Sequence, residues 1–348
     1  MVTEPLLIVN NLRVGLNTSR GPADALRGVS FSVRRGETVG LIGESGCGKS
    51  MTALAVMGLL PPTARVSGSI QFESQELVSA SEDDLCQLRG NRIGMIFQEP
   101  MTALNPLHTV GAQVAEPLRQ HRGMGKSASR AESLRLLERV HLPQAAQRLD
   151  AYPHQLSGGQ RQRVMIAAAL ACGPDLLIAD EPTTALDATI QDEILDLLDD
   201  LVKERQMALL LISHDLGVMA QTAQRVMVMY GGMVVESGPT ASVFERLAHP
   251  YTRGLFGARP SLGAARVNGV KPRLVTIVGR VPELVDLPAG CGFADRCDRV
   301  VNECREGMPS EFSVAAEHKV RCLKPHGTTE VEALNGSFPL DGGRLGWR

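Results

Sequence analysis

The 348-residue sequence has no apolar run of about 18 residues, so it offers no helix able to span a bilayer. Its opening residues, Met1-Val2-Thr3-Glu4-Pro5, lack the apolar stretch of a secretory signal. The expectation is a chain that folds and stays in the cytosol, meeting a membrane only through a partner. An excess of positive charge is missing as well. The formal net charge is −2, which removes the electrostatic footprint of nucleic-acid binding. Close C-x-x-C pairs, the usual spacing of a zinc site, do not occur among the seven cysteines.

What is present is ordinary for a globular chain. Hydrophobic residues make up 43% and charged residues 21%, in a length that suits one large domain with a smaller one, or two domains.

One stretch organises the rest. Gly43-Glu44-Ser45-Gly46-Cys47-Gly48-Lys49-Ser50 fits the phosphate-cradling pattern G-x-x-x-x-G-K-[ST] without a mismatch. Thr38 to Ile42 reads as a short buried strand before it, and Met51 to Met57 as the start of a helix after it. Glycines let the backbone wrap an anion, and free N–H groups at the helix start point towards it. Lys49 is placed to reach the β- and γ-phosphates, and the Ser50 hydroxyl to ligate Mg²⁺. A chance glycine-rich turn is the bland alternative.

Further along, the sequence alternates. Leu6–Val9, Leu12–Val14, Val29–Val33 and Ser69–Phe72 read as strand, and Ile93–Phe97 as another strand ending at Gln98. From about residue 110 to 172 the pattern turns helical, with Ala131, Leu134, Leu137, Glu138 and Val140 marking one face of a helix. Ser157 stands as an N-cap ahead of Gly158 and Gly159, which gives either a second anion site or a simple capped loop. Leu176–Ala179 is an apolar strand that ends in Asp180-Glu181. After a phosphate loop, that pair suggests Asp180 on Mg²⁺ and Glu181 polarising the attacking water; two acids capping the next helix are the other possibility. Ile190 to Glu204 is helix-spaced. Ala208–Ile212 is a strand with Ser213-His214-Asp215 at its carboxyl end, where ligands of α/β sheets gather. Val226–Tyr230 and Met233–Glu236 flank Gly231-Gly232 as a hairpin. Gly327 to Arg348 has little periodicity and is expected to be partly disordered.

The order of these motifs resembles that of ATP-binding cassette (ABC) transporter ATPases, over residues 5 to 260. Leu156-Ser157-Gly158-Gly159-Gln160 matches that family's signature. Gln98-Glu99-Pro100-Met101-Thr102-Ala103-Leu104-Asn105-Pro106, His249-Pro250-Tyr251-Thr252-Arg253-Gly254-Leu255 and the stretch from Leu287 to Cys297 are similar to the oligopeptide and dipeptide importer branch. The resemblance implies an α/β fold: a P-loop ATPase domain with a mixed sheet core, an antiparallel β region and a helical insertion. Its boundaries would be 5–258 for the ATPase domain, with a helical subdomain at about 99–172. A small Cys-rich C-terminal extension would follow at 259–326 and a tail at 327–348.

It further implies a head-to-tail pair of ATPase subunits, the second, as is common in this branch, a related but different chain. ATP would lie between one subunit's phosphate loop and the partner's signature, so that Ser157, Gly158, Gly159 and Gln160 serve the partner's nucleotide. Gln98 would sense the γ-phosphate and Mg²⁺, His214 would contact the γ-phosphate, and Asp187 would occupy the D-loop. Closure and opening would drive two membrane permease subunits, fed by an extracytoplasmic solute-binding protein, from the cytoplasmic face of the inner membrane. One position departs from the family: Leu16 stands where an aromatic residue usually stacks on adenine. Peptides are the expected cargo, with glutathione or a nickel chelate as alternatives. The rival classes are a soluble non-transport ABC ATPase and a non-hydrolysing nucleotide-keeping module; intact Glu181 and His214 argue against the latter.

Cys291, Cys297, Cys304 and Cys322 cluster near the end of the chain. In a reducing compartment that suggests metal rather than disulfides. Their wide spacing fits four thiolates on a [4Fe–4S] cluster, a group the resembled branch also implies; Zn²⁺ and free thiols remain open.

Overall fold

The computed structural model describes residues 4–183, 188–258 and 276–327. The chain opens with two long strands, β1 (Pro5–Thr18) and β2 (Gly21–Arg34), and then β3 (Thr38–Ile42) runs into helix α1 (Lys49–Val56). Strands β4 (Arg65–Phe72) and β5 (Gln75–Glu76), helix α2 (Glu82–Leu88) and strand β6 (Ile93–Ile96) follow. A helical stretch comes next: α3 (Pro100–Ala103), α4 (Val110–Arg122), α5 (Lys126–Arg139), α6 (Ala145–Arg148) and α7 (Gly158–Leu170). The chain then alternates β7 (Leu176–Asp180), α8 (Ala188–Arg205), β8 (Ala208–Ile212), α9 (Leu216–Thr222), β9 (Arg225–Tyr230) and β10 (Met233–Pro239). It ends with α10 (Thr240–Arg246), α11 (Pro250–Gly257), α12 (Glu303–Glu306), β11 (Phe312–Ala315) and β12 (His318–Val320).

These strands make two sheets. One is antiparallel, in the order β2-β1-β4-β5; the other has eight strands in the order β11-β12-β10-β9-β3-β8-β7-β6. Strands β9, β3, β8, β7 and β6 are parallel to one another, and β10 runs antiparallel to β9. Their residues are apolar at nearly every position because both faces are covered. Leu176, Ile178, Leu210 and Ile212 face a core shared with α1 and the antiparallel sheet. Leu177, Ala179, Leu209 and Leu211 face the core that holds α4, α7 and α8. Gly231 and Gly232, at φ 53° and 76°, make the tight turn from β9 to β10 that the glycine pair predicts.

Two sequence expectations shift. The separate strands at Leu6–Val9 and Leu12–Val14 are a single strand, β1, with register irregularities between Val9 and Leu12. The buried face of α5 is rotated from the expected stripe: Ser129, Ser133, Leu136 and Leu137 are buried, with Val140 at the C-cap, while Ala131 and Glu138 are exposed. The Ser133 hydroxyl donates to the Ser129 carbonyl at 2.7 Å, which removes the cost of burying it and lets a polar position face inward.

The C-terminal segment folds back onto the sheet. Strand β12 pairs antiparallel with β10, Glu236 opposite Val320 and Ser237 opposite Lys319. The fully buried Glu236 carboxylate accepts from the N–H groups of Ala248 and His249 and meets His318 Nε2 at 2.8 Å. The tail beyond Gly327 lies outside the described residues, as does Asp187.

Candidate active site

The parallel strands β3, β8, β7 and β6 are consecutive neighbours, so their carboxyl ends lie side by side. Each end delivers one candidate: the phosphate loop after β3, Gln98 two residues beyond β6, Asp180-Glu181 at the end of β7 and His214 two residues beyond β8.

The loop's shape depends on its glycines. A Cβ on Gly43 would sit 2.4 Å from the Met229 carbonyl oxygen, and Gly48 caps α1 at φ 105°, where a side chain is strained. Helix α1 has no side-chain cap and no acidic residue in its first turn. Its leading N–H groups are left for an anion. The buried Lys49 ammonium donates to the carbonyls of Gly43 at 2.7 Å and Glu44 at 3.1 Å, which holds it inside the loop's curve. Ser45 and Gly46 are exposed at the tip, and the buried Cys47 thiol is pushed up in pKa by desolvation.

Asp180 is 4% exposed, and among the described residues its Oδ1 has no hydrogen-bond partner. Burial pushes its pKa up; the hydrogen-bonding Ser50 hydroxyl pulls it down, nearby Glu181 pushes it up and Lys49 pulls it down. A desolvated carboxylate with one orphaned oxygen, facing a hydroxyl, is a donor set suited to a hard divalent cation, so Ser50 and Asp180 fit Mg²⁺.

Three further candidates converge. Glu181 Oε1 meets His214 Nδ1 at 3.2 Å, and Glu181 Oε2 accepts from Gln98 Nε2 at 3.4 Å. The Glu181 side chain is only 12% exposed, whereas His214 is 63% exposed and open to a ligand. Glu181 itself has φ 48°, a left-handed backbone that a side chain penalises.

The signature segment stands apart from this group. Ser157 Oγ accepts from the Gln160 N–H at 3.3 Å and Gln160 Oε1 accepts from the Ser157 N–H at 3.1 Å, a reciprocal cap. No hydrogen bond joins Ser157, Gly158, Gly159 or Gln160 to the phosphate loop among the described residues. Ser157 and Gly158 are exposed. Helix α7 is tied to the stretch just after β7 by Gln162 Nε2, which donates to the Pro182 carbonyl at 2.6 Å. Leu16 is half-buried on β1, paired with Ala23 of β2.

Sequence reasoning missed two residues that touch the loop. The Tyr251 hydroxyl accepts from the Glu44 N–H at 2.7 Å, and Arg296 grips the Glu44 carboxylate at 2.6 and 3.1 Å. Both lie in stretches whose motifs are legible, but nothing local says where they dock.

The four clustered cysteines, free of disulfides, line one narrow cavity together with His249 and Phe293. Backbone N–H groups point at sulfur: Arg299 at Cys297 Sγ, 3.4 Å, and Lys324 at Cys322 Sγ, 3.3 Å. Burial pushes the Cys291 and Cys297 thiols up in pKa and Cys322 to about 12, and the neighbouring thiols add to each rise. Among the described residues, no group of three or more His, Cys, Asp or Glu side chains is close enough to hold a single metal ion.

Comparison with known proteins agrees with this geometry. A family model described as ABC transporter matches residues 26–184, and one described as oligopeptide/dipeptide transporter, C-terminal region, matches residues 235–304. The chain is 46% identical over 335 residues to the dipeptide transport ATP-binding protein DppD of Bacillus subtilis, covering 96% of this chain and 98% of that one. It is 46% identical over 320 residues to the oligopeptide transport ATP-binding protein OppD of Salmonella typhimurium, covering 92% and 94%. A dimeric ATP-binding cassette solved in a post-hydrolysis state, bound to ADP and Pi, superposes with a TM-score of 0.61 at 30% identity. The match covers 67% of this chain and 98% of that one. With relatives aligned along nearly their whole length and the same motifs set at the ends of neighbouring strands, this chain belongs to the ATP-binding subunits of ABC transporters, in the oligopeptide/dipeptide branch.

Proposed function

We propose that this chain is the ATP-hydrolysing subunit of a peptide importer and that it works on the cytoplasmic face of the membrane. The observation that carries the proposal is the meeting of Gln98, Glu181 and His214 beside the phosphate loop. Among the described residues no helix is long and apolar enough to cross a membrane, so translocation is assigned to two permease subunits supplied with cargo by a solute-binding protein. The relatives are named for dipeptide and oligopeptide transport, and that is the cargo class we assign.

Residue roles follow from position. The loop from Gly43 to Ser50 binds the phosphates through backbone N–H groups, and Lys49 turns from its own carbonyls to them. Ser50 and Asp180, together with Gln98, would hold Mg²⁺, which would supply positive charge against the phosphates when bound. Glu181 orients the attacking water and takes its proton on a carboxylate oxygen. Gln98 fixes that carboxylate from one side. His214 holds it from the other through Nδ1 and leaves Nε2 for the γ-phosphate.

Ser157, Gly158, Gly159 and Gln160 serve ATP on a second ATPase subunit. The exposure of Ser157 and Gly158 at the helix start, and the segment's lack, among the described residues, of a bond to the loop of its own chain, support that assignment. Asp187 would lie at the same junction.

The test is ATPase activity of the chain assembled with its permease subunits. Glu181→Gln keeps the shape and removes the base, and turnover should fall about 100-fold or more, with transport falling in parallel. Equal rates would remove Glu181 from its role and leave the reading without its centre.

We further infer that Cys291, Cys297, Cys304 and Cys322 hold a [4Fe–4S] cluster rather than Zn²⁺. Two buried and two half-buried thiols around one cavity, with N–H groups aimed at sulfur, suit a group wider than a single ion. Iron and acid-labile sulfide should each approach four per chain in anaerobically purified protein, as the cluster's formula requires; a colourless, zinc-loaded sample would reverse the assignment.

A further inference from the structure

Glu44 is the second residue of the phosphate loop, and the C-terminal half of the protein holds it at two atoms. Its carboxylate receives both arms of Arg296, Nη1 at 2.6 Å and Nη2 at 3.1 Å. Its backbone N–H donates to the Tyr251 hydroxyl at 2.7 Å. The carbonyl of the same residue is one of the two that anchor the Lys49 ammonium, at 3.1 Å. Neither partner is a surface side chain that has wandered into contact. Tyr251 is fully buried and the Arg296 side chain is 5% exposed.

An aromatic box fixes both. The Tyr251 ring lies 4.6 Å from Tyr230 and 5.4 Å from Phe293, centroid to centroid. The Arg296 guanidinium lies 5.8 Å from the Tyr230 and Phe293 rings, and its Nε donates to the Val278 carbonyl at 3.1 Å. A forked, half-desolvated Arg–carboxylate pair fixes direction as well as distance, which a lysine at the same place would not.

We propose that Arg296 and Tyr251 are positioning residues for the phosphate loop, holding Glu44 so that Lys49 and the loop's N–H groups are set for ATP before it arrives. The C-terminal segment is then a working part of the nucleotide site. The proposal rests on the reading of residues 43–50 as the ATP-binding loop.

The geometry also says what kind of effect to expect. The pair holds Glu44 and bonds to none of Gln98, Glu181 and His214 among the described residues, so it acts on binding more than on turnover. Arg296 is followed by Cys297, whose sulfur faces the cysteine cavity. Whatever rests on that thiol is therefore one residue from the loop's anchor.

The experiment measures Mg-ATP affinity and the separate KM and kcat of the full-length chain, with thermal melting alongside. Arg296→Ala should weaken ATP binding about tenfold and Tyr251→Phe several-fold, with kcat nearly unchanged. Arg296→Lys should recover only part of the loss. In a cycle with Glu44→Gln, the double variant should lose no more affinity than the worse single one. Arg20→Ala serves as the control. It breaks a different tie to the C-terminal segment, the exposed bridges to Glu283 at 2.7 Å and Asp286 at 2.8 Å, and should leave ATP affinity alone.

Wild-type affinity in both Arg296→Ala and Tyr251→Phe overturns the proposal. So does additivity in the cycle, or an equal loss in Arg20→Ala. Lys49→Ala separates the layers: if it still binds ATP normally, the loop itself has been misread. If it does not bind while Arg296→Ala does, only the positioning role fails. Should Arg296→Ala fail to fold, Tyr251→Phe and Arg296→Lys carry the same comparison with the packing retained.

Discussion

Glu181 shows how far a single position can be read from sequence. An acid at the end of an apolar strand, following a phosphate loop, is visible as chemistry. Its backbone is not, and the structure places it at φ 48°. A Cβ in that conformation costs on the order of 1 kcal/mol, and glycine escapes the cost. When the carboxylate is removed by either substitution, Glu181→Gly should therefore be more stable than Glu181→Ala by about 1 kcal/mol in denaturant unfolding. Exposed or helical positions show the reverse order, so an alanine variant that is the more stable would mean the backbone relaxes elsewhere. The loop from Gly43 to Ser50 was legible for the opposite reason: its chemistry is contiguous. Arg296 and Tyr251 were not, because they meet Glu44 across 252 and 207 positions of chain. No periodicity carries that distance.

At the level of strands and helices, unbroken apolar runs announced β3, β7 and β8, since a strand covered on both faces has no polar side to confuse the pattern. Helix α5 was harder. Its inward face includes two serines that satisfy their own hydroxyls, and a hydrophobic pattern cannot see that. Strands β11 and β12 were missed because they are four and three residues long and half polar.

The two sheets are also joined by charge. Arg35 and Arg92 bridge Glu73, in the turn between β4 and β5, to Asp175, just before β7, at 2.6 to 3.0 Å. Burial pushes Asp175 up, but hydrogen bonds from Arg35 and Arg92 outweigh it and hold the carboxyl below its ordinary value. Arg92, chiefly, does the same for Glu73. Carboxyls depressed in the folded state stabilise it above their unfolded pKa of about 4, and the contribution is lost as pH falls through the folded values. The urea midpoint should thus drop more steeply between about pH 5 and pH 3 in wild type than in an Arg35→Ala/Arg92→Ala double variant. Parallel curves would show the network to be screened and silent.

Across the whole molecule, the candidate catalytic groups sit at the ends of four adjacent strands, an arrangement the order of motifs made legible. The route of the chain after residue 258 was not, since short polar segments with many prolines give no sign of what they pack on. That route extends the large sheet: β12 covers the otherwise free side of β10, with Val320 opposite Glu236, and leaves the four-residue β11 as the edge. A chain cut before this segment would present the backbone of β10 as an unpaired border, open to any extended peptide, including another copy of itself. The terminal strands thus act as a built-in guard against self-association, and their removal would favour clumping as well as loosening the nucleotide loop.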